Sequence, residues 1–307
     1  MSGSKRFVYA AALTPLASDL APDVAALSGH CKWLLRNGCD GIGLLGTTGE
    51  ANSFTIDERL NVIEGVVDAG VRPYHLMVGT GCCAISDTVR LTKAALDVGV
   101  TDILMLPPFY YKSVDDDGLY ASISSVIEAV SDSRLKLYLY HFPTMTGLDL
   151  SLALVGKLYR SFPNTVVGMK DSSGDWTRMQ RFLKEFPEFQ LFSGTEKYLL
   201  ACLEAGGAGT ISATANLTSL ACAEVCKAWN NGSESAPQLQ EKLANVRSRL
   251  QGYQLVPALK EIMARHTGEM GWRRVRLPMM SLQPEIAETL WQCVIDSGLE
   301  LPLALES

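Results

Sequence analysis

The sequence lacks the cysteine and histidine spacings that would point to a metal site or a disulfide framework. Its eight cysteines fall singly or as the adjacent pair Cys82 and Cys83, while Cys222 and Cys226 are one helical turn apart, so neither a CxxC pair nor a zinc spacing occurs. The four histidines are scattered along the chain. We therefore expect reduced thiols, no bound metal and no cofactor.

Long apolar runs and an excess of positive charge are also missing. No run approaches the ~18 apolar residues of a membrane-spanning helix, and the N-terminal stretch breaks at Thr14 and Pro15 instead of forming a signal peptide. The net charge of -6 excludes the basic surface that nucleic acid or anionic membranes attract. Since 47% of the 307 residues are hydrophobic and 20% charged, we expect a globular, cytoplasmic protein.

What the sequence does contain is an alternation of strand-length apolar runs with amphipathic helical stretches. Eight consecutive βα units of this kind favour a closed (β/α)8 barrel over a doubly wound sheet, which usually has fewer strands. The predicted strands are Phe7 to Leu13, Gly41 to Leu45, His75 to Gly79, Asp102 to Leu106, Lys136 to Tyr140, Thr165 to Lys170, Gln190 to Ser193 and Gly209 to Ser212.

The helical stretches have recognisable starts and apolar stripes. Thr55 and Glu58 fit a capping box, and Asp175 is placed to cap a helix that begins at Trp176. Spacings of three and four residues predict two buried stripes. They are Val24, Leu27, Cys31 and Leu34 in the first helix, and Leu60, Ile63 and Val67 in the second.

The chain beyond the eighth unit has helical character. The polar stretch from Asn230 to Ser233 marks a boundary, which divides a barrel domain, residues 1–231, from a C-terminal layer of three helices, residues 232–307. The predicted stripes are Leu239, Leu243, Val246 and Leu250, then Leu259, Ile262, Met263 and His266, then Ile286, Leu290 and Val294. We expect this layer to pack on the barrel or on another subunit.

In such barrels the reacting groups come from the C-terminal ends of the strands. The sixth strand ends in Lys170, and alternation places Val166, Gly168 and Lys170 on one face. If that face is the barrel interior, Gly168 leaves space for the lysine, and burial there favours the neutral amine that can attack a carbonyl group. The alternative is a lysine that extends from the strand end into solvent.

Two further strand ends carry suitable groups. Tyr140 ends the fifth strand, where its phenol can exchange a proton with an intermediate bound to the lysine, although an ordinary buried aromatic is the alternative. We interpret Tyr138, one layer deeper, as packing. The turn GTTGE, residues 46–50, combines two glycines with the hydroxyls of Thr47 and Thr48 just before a helix, a pattern suited to holding a carboxylate.

Together these residues resemble the pyruvate-dependent class I aldolases typified by dihydrodipicolinate synthase and N-acetylneuraminate lyase. The resemblance covers nearly the whole chain and rests on GTTGE, a tyrosine after the prolines that end strand four, a tyrosine near a proline on strand five, and Lys-Asp on strand six, in that order. It implies a (β/α)8 barrel that assembles as a homotetramer, a dimer of dimers.

The resemblance also implies roles for individual residues. Lys170 forms an imine with the keto carbon of pyruvate, Thr47 and Thr48 hold the pyruvate carboxylate, and Tyr140 is the acid and base. Tyr110 reaches into a neighbouring subunit's site to complete a hydroxyl relay with Thr47 and Tyr140. Two further residues, Gly194 and Ile211, match family positions that line the pocket.

The chain departs from the family pattern in two places. His141 stands where the family usually has asparagine, and alternation turns it away from Tyr140, so we expect a structural role. Met145 stands where dihydrodipicolinate synthases carry an arginine that binds the carboxylate of the second substrate. A thioether cannot replace that bidentate contact, so Met145 disfavours the lysine-pathway substrate at this subsite.

The resulting hypothesis is a Schiff-base lyase that cleaves or forms a 2-keto acid, such as a 2-keto-3-deoxy sugar acid or a 4-hydroxy-2-oxo acid. The substrate partners are then pyruvate with an aldehyde, or their keto acid adduct, and the imine makes a metal unnecessary. Three alternatives stay open: a condensation like that of dihydrodipicolinate synthase, dehydration of a keto-deoxy sugar acid, and a ligand-sensing barrel without catalysis.

Overall fold

The computed structural model describes residues 7–302 and centres on a closed barrel of eight parallel strands in chain order. The predicted (β/α)8 architecture is therefore confirmed. Its strands are β1 Val8–Ala11, β2 Gly41–Leu44, β3 Leu76–Gly79, β4 Asp102–Met105, β5 Lys136–His141, β6 Val166–Asp171, β7 Gln190–Ser193 and β8 Gly209–Ser212.

Helices surround the barrel and continue past it. No helix among residues 7–302 combines the length and the apolar character that a membrane span needs. The helices of the barrel are α1 Val24–Arg36, α2 Ile56–Asp68, α3 Ile85–Asp97, α4 Asp116–Val130, α5 Pro143–Thr146, α6 Leu152–Ser161, α7 Trp176–Glu185, α8 Leu199–Glu204 and α9 Ala215–Asn230, and those of the C-terminal layer are α10 Ala236–Leu250, α11 Leu255–Thr267 and α12 Pro284–Asp296.

Several predicted strand ends were wrong by one or two residues. The second strand stops before Leu45, because that residue adopts a left-handed backbone with φ 55° that a strand cannot contain. The third begins after His75, which lies in a 3-10 turn that starts at Pro73. The first ends at Ala11 and the fourth at Met105, whereas the fifth and sixth each run one residue further than predicted, to His141 and Asp171.

The predicted helix starts are confirmed, but the buried faces are partly shifted. Thr55 and Glu58 form the capping box of α2, and the Asp175 side chain accepts from Arg178 N at the start of α7. In α2 the buried apolar residues are Val62, Ile63 and Val66, while the predicted Leu60 and Val67 are only half-buried, as is Val24 in α1.

The core is layered as the barrel geometry requires. The largest apolar cluster fills the space between the strands and their helices. A second cluster fills the barrel interior and consists of Tyr9, Ala11, Met77, Leu104, Tyr138, Tyr140, Phe192 and Ile211. Because inward side chains of neighbouring strands meet in this interior, residues far apart in sequence become neighbours at the strand ends.

The C-terminal layer has the predicted three helices, and its apolar cluster includes Leu13 and Leu217 of the barrel. Most residues of the three predicted stripes are buried, but Ile286 is exposed, and Leu239 and His266 are half-buried. The Nε2 of His266 lies 2.7 Å from Pro302 O. The division into domains 1–231 and 232–307 stays a prediction, although α9 does end at Asn230.

Candidate active site

Lys170 lies near the C-terminal end of β6 and is buried, with 4% of its surface exposed. Its register partner on β5 is Tyr140, and its Nζ lies 4.4 Å from the centre of the Tyr140 ring. Among residues 7–302 this ring is the interaction partner of the Lys170 ammonium group. The amine is therefore held inside the strand end and not extended into bulk water.

Gly168 explains how the layer beneath Lys170 is packed. A Cβ atom at this position would lie 2.4 Å from Gln190 O and 2.7 Å from Cδ1 of Tyr138. The Tyr138 hydroxyl in turn donates to Gln190 Oε1 at 3.0 Å. The space that Gly168 leaves is thus filled by the Tyr138 ring and not, as expected from the sequence, by the lysine.

Tyr140 connects the lysine to the threonine turn. Its hydroxyl lies 3.5 Å from Thr47 Oγ1, and its buried ring stacks on Phe142 with the ring centres 5.7 Å apart. A phenol, a threonine hydroxyl and an amine therefore converge at the ends of β2, β5 and β6. Such a set can bind a carbonyl substrate covalently and move a proton on and off its oxygen.

The turn that carries Thr47 is closed by two backbone hydrogen bonds and by the hydroxyl of Thr14. Glu50 N donates to Thr47 O at 3.1 Å, Ala51 N donates to Gly46 O at 3.3 Å, and Thr14 Oγ1 donates to Gly49 O at 2.8 Å. A helix does follow the turn, as expected, but it does not start immediately after Glu50. A 3-10 turn, Ala51–Ser53, comes first, and α2 begins only at Ile56, so the turn amides are not the N-terminus of an α-helix.

The other predicted site residues lie at different depths. Ile211 belongs to the interior cluster with Tyr140, and Gly194 N donates to Asp171 O at 2.6 Å, where a side chain would collide with Ser172. Thr48 is buried. Met145 on α5 and Tyr110 in the loop after β4 are 60% and 71% exposed, so they lie at the rim of the barrel mouth.

Behind the strand ends lies a polar cluster that begins with His141. Leu150 N donates to His141 Nδ1 at 3.3 Å, so the ring proton is on Nε2, which lies 3.7 Å from Asp149 Oδ1. Arg178 bridges Asp149 at 3.1 Å and Asp171 at 3.1 Å. Burial lowers the pKa of His141, with the Asp171 charge opposing it. The Asp171 carboxylate, next to Lys170 in the sequence, is thus ion-paired with Arg178.

Sequence reasoning missed Arg59, whose buried guanidinium lines a cavity together with Thr47 and Tyr140. It donates to Gly79 O at 2.9 Å and to Cys82 Sγ at 3.0 Å, while its Nε has no hydrogen-bond partner among the described residues. Burial lowers its pKa. Nothing in the pattern singled it out, because an arginine early in a helix is usually solvated.

A second missed group is Glu50, the last residue of GTTGE. Its carboxylate is fully buried, accepts a hydrogen bond from Lys260 Nζ and accepts another from Arg276 N at 2.7 Å. Lys260 is fully buried as well, and burial lowers its pKa against the opposing attraction of Glu50. The signal was a lysine inside the apolar run of α11. Among residues 7–302, no cluster of three or more His, Cys, Asp or Glu side chains is arranged to hold a metal ion.

Comparison with known proteins gives one consistent result. The model of the dihydrodipicolinate synthetase family matches residues 5–295. An uncharacterized DapA-like lyase of Chloroflexus aurantiacus is 33% identical over 282 residues, which cover 91% of this chain and 93% of that protein. A 4-hydroxy-tetrahydrodipicolinate synthase of Methanopyrus kandleri is 34% identical over 239 residues, 77% of this chain and 78% of that protein.

Solved structures agree with this result. Dihydrodipicolinate synthase from Agrobacterium tumefaciens has a TM-score of 0.87 at 32% identity, with 95% of this chain and 99% of that chain covered. A prophage protein of the dihydrodipicolinic acid synthase family from E. coli K12, solved in complex with pyruvate, has a TM-score of 0.89 at 25% identity, with 96% and 99% covered.

Proposed function

The chain belongs to the dihydrodipicolinate synthetase family and is a carbon-carbon lyase of the class I aldolase type, and on this premise we propose that Lys170 is the residue that forms the Schiff base with pyruvate. The observation that carries the proposal is the convergence of a buried amine, a phenol and a threonine hydroxyl at three strand ends. Lys170 Nζ lies over the ring of Tyr140, whose hydroxyl faces Thr47. The pyruvate in the E. coli relative supports pyruvate as the ligand.

In the proposed cleavage reaction, the neutral amine of Lys170 adds to the C2 carbonyl of a 2-keto acid. Tyr140 then donates its phenolic proton to the carbinolamine hydroxyl, which leaves as water and gives a protonated imine and a tyrosinate. The C3–C4 bond then breaks with its electron pair moving into the imine, while Tyr140 accepts the proton of the C4 hydroxyl and an aldehyde leaves. Protonation of the resulting enamine at C3 and hydrolysis release pyruvate and restore the amine. The reverse sequence is a condensation.

The threonine turn has the carboxylate role in this proposal. Thr47 and Thr48 follow Gly46 in a turn whose backbone is closed by three hydrogen bonds. Two hydroxyls and turn amides can bind the carboxylate of pyruvate. Because Thr47 also faces the Tyr140 hydroxyl, the same residue belongs to both the binding site and the proton relay.

The second substrate is proposed from the residues at the mouth. Met145 is exposed on α5. An arginine at this position would be able to bind a carboxylate, whereas the thioether of methionine is not. We therefore favour cleavage or formation of a 2-keto-3-deoxy sugar acid or a 4-hydroxy-2-oxo acid. The relatives named 4-hydroxy-tetrahydrodipicolinate synthase favour the alternative condensation. The other alternative, dehydration of a keto-deoxy sugar acid, proceeds through the same imine.

The assembly proposed is a homotetramer in which Tyr110 enters a neighbouring subunit's site. Tyr110 is 71% exposed and packs edge-to-face on Tyr111, with the ring centres 5.2 Å apart. Two adjacent exposed tyrosines are unusual on a surface that stays in water, and they favour a protein contact there.

Borohydride reduction in the presence of pyruvate tests the covalent step. The expected result is a stable adduct on the peptide that contains Lys170 and none on the peptide that contains Lys260, which is also buried but ion-paired and serves as an internal control. Pyruvate binding without an adduct would favour the sensor instead. A panel of keto-deoxy acids, 4-hydroxy-2-oxo acids and aspartate semialdehyde, with product analysis, then separates cleavage, condensation and dehydration.

A further inference from the structure

The ion pair between Glu50 and Lys260 joins two parts of the chain that the barrel geometry does not itself connect. Glu50 ends the turn that carries Thr47 and Thr48, and Lys260 lies in the middle of α11, 210 positions later. Both side chains are completely buried. The turn at the mouth of the barrel is therefore attached to the C-terminal layer through a pair of charges that water does not reach.

Both residues of this ion pair make a further hydrogen bond to the C-terminal part of the chain. Glu50 accepts from Lys260 Nζ with one oxygen and from Arg276 N with the other, at 2.7 Å for the second contact. Lys260 Nζ also donates to Arg274 O at 2.7 Å. All of these donors and acceptors except Glu50 belong to the segment after residue 255, so the C-terminal layer, and not the barrel, determines where the Glu50 side chain lies.

The backbone of the turn needs such an anchor. Glu50 adopts a left-handed conformation with φ 59°, which a residue with a side chain adopts only when its surroundings hold it there. Leu45, immediately before the turn, has φ 55°. The segment that presents Thr47 and Thr48 is thus bounded by two left-handed residues, and one of them is held by the ion pair.

From this geometry we infer that Lys260 and Glu50 are positioning residues for the carboxylate-binding turn, and we assign neither a contact with substrate. Their pairing fixes the conformation of Glu50, the Glu50 N–H closes the turn onto Thr47 O, and the closed turn presents the Thr47 hydroxyl to Tyr140. The inference rests on the proposed role of Thr47 and Thr48 in binding pyruvate, and it gives the C-terminal layer a part in substrate binding as well as packing.

Removal of a single charge would leave its partner buried and uncompensated, which destabilises the fold and complicates the interpretation of activity. The informative set is therefore Lys260→Met, Glu50→Gln and the double variant, in which neither ion remains. The measurement is the pyruvate concentration that gives half-maximal borohydride trapping on Lys170. It needs no second substrate and separates weak binding from lost chemistry.

We expect full trapping at saturating pyruvate in all three variants, with the half-maximal pyruvate concentration raised roughly tenfold in Lys260→Met, as for loss of orientation in a preformed site. The double variant is expected to regain thermal stability relative to Lys260→Met, yet to keep a half-maximal concentration at least about threefold above that of the unmodified protein.

Glu261 offers a matched control in the same helix. It is buried and ion-paired to Arg265 at 2.8 Å and to Arg273 at 2.7 Å, within the C-terminal layer. Glu261→Gln should lower stability while leaving the pyruvate dependence of trapping unchanged. A folded double variant with the half-maximal concentration of the unmodified protein would overturn the positioning role. Failure of the unmodified protein to form any adduct would instead refute the proposed function itself.

Discussion

The two buried lysines among residues 7–302 lie in opposite electrostatic surroundings. Lys260, at the seam between the barrel and the C-terminal layer, has a carboxylate and a carbonyl oxygen as partners. Lys170, at the barrel mouth, has the face of the Tyr140 ring and no carboxylate partner within residues 7–302. An ion-paired lysine contributes to the stability of the fold, whereas a lysine without a carboxylate partner is available to react. Such a difference is expected where a functional site is less stable than the rest of the protein.

The same contrast extends to the groups around each lysine. At the mouth, the hydroxyls of Tyr140 and Thr47 meet at 3.5 Å, a distance too long for a strong hydrogen bond. At the seam, the His30 ring bonds Asn216 Oδ1 at 2.8 Å and packs against Trp272. The comparison predicts that substitutions at the mouth abolish or slow the chemistry with little loss of stability. Substitutions of the Glu50–Lys260 pair at the seam should instead lower stability and weaken pyruvate binding without removing the chemistry.

The largest effect is expected from Lys170→Met. Without the amine no Schiff base forms, so turnover should fall by at least about a thousandfold and borohydride trapping should be lost. Because the lysine has no ion pair to lose in the part of the chain that the structure describes, the free energy of unfolding should stay within about 1 kcal/mol of its original value. Denaturant unfolding alongside steady-state kinetics checks both parts, and residual imine chemistry would contradict the assignment.

Tyr140→Phe removes the phenolic hydroxyl and keeps the aromatic ring that faces Lys170 Nζ. Turnover should fall roughly 10²- to 10⁴-fold, the usual range for loss of a general acid and base. The pyruvate adduct should still form, more slowly. Stability should change by less than about 1 kcal/mol, because within the described part of the chain the hydroxyl makes one long contact, with Thr47 Oγ1. Comparison of trapping rates with turnover separates this outcome from a structural defect.

Lys260→Met, the same substitution at the seam, should lower the free energy of unfolding by about 3 to 5 kcal/mol, because it leaves the Glu50 carboxylate buried without its cation. Urea or guanidinium unfolding measures the loss. A Lys260→Met protein as stable as Lys170→Met would break the contrast between the two sites.

The pH dependence of stability gives a smaller test at the seam. Burial lowers the pKa of His30 to about 4 from 6.5, with the Asn216 hydrogen bond opposing the shift. As the pH falls, His30 therefore becomes protonated in the unfolded chain before it does so in the folded protein, which lowers the free energy of unfolding. This loss begins near pH 6.5 and is complete near pH 4. It amounts to about 3 kcal/mol. Over this pH range, the free energy of unfolding of His30→Gln should fall by about 3 kcal/mol less than that of the unmodified protein. Denaturant unfolding of both proteins at each pH measures the difference.

Much of this site could be predicted from the sequence because a barrel places its strand ends together. Once the eight βα units were recognised, Lys170, Tyr140 and the GTTGE turn had to meet at one mouth, and the resemblance to a known family gave them roles. Strand ends were less predictable. The left-handed backbone of Leu45, which ends β2, and the 3-10 turn Pro73–His75, which precedes β3, depend on contacts that a local pattern does not contain.

The sequence by itself determined the periodicity of the elements, the number of βα units and the residue types at the strand ends, since these depend on neighbours along the chain. Only the tertiary structure decided which buried charges are paired. Glu50 and Lys260 are 210 positions apart, and Arg59 of α2 lines the cavity with Tyr140 while it donates to Gly79 O at the end of β3. Long-range pairing depends on how helices dock, which residue spacing does not encode.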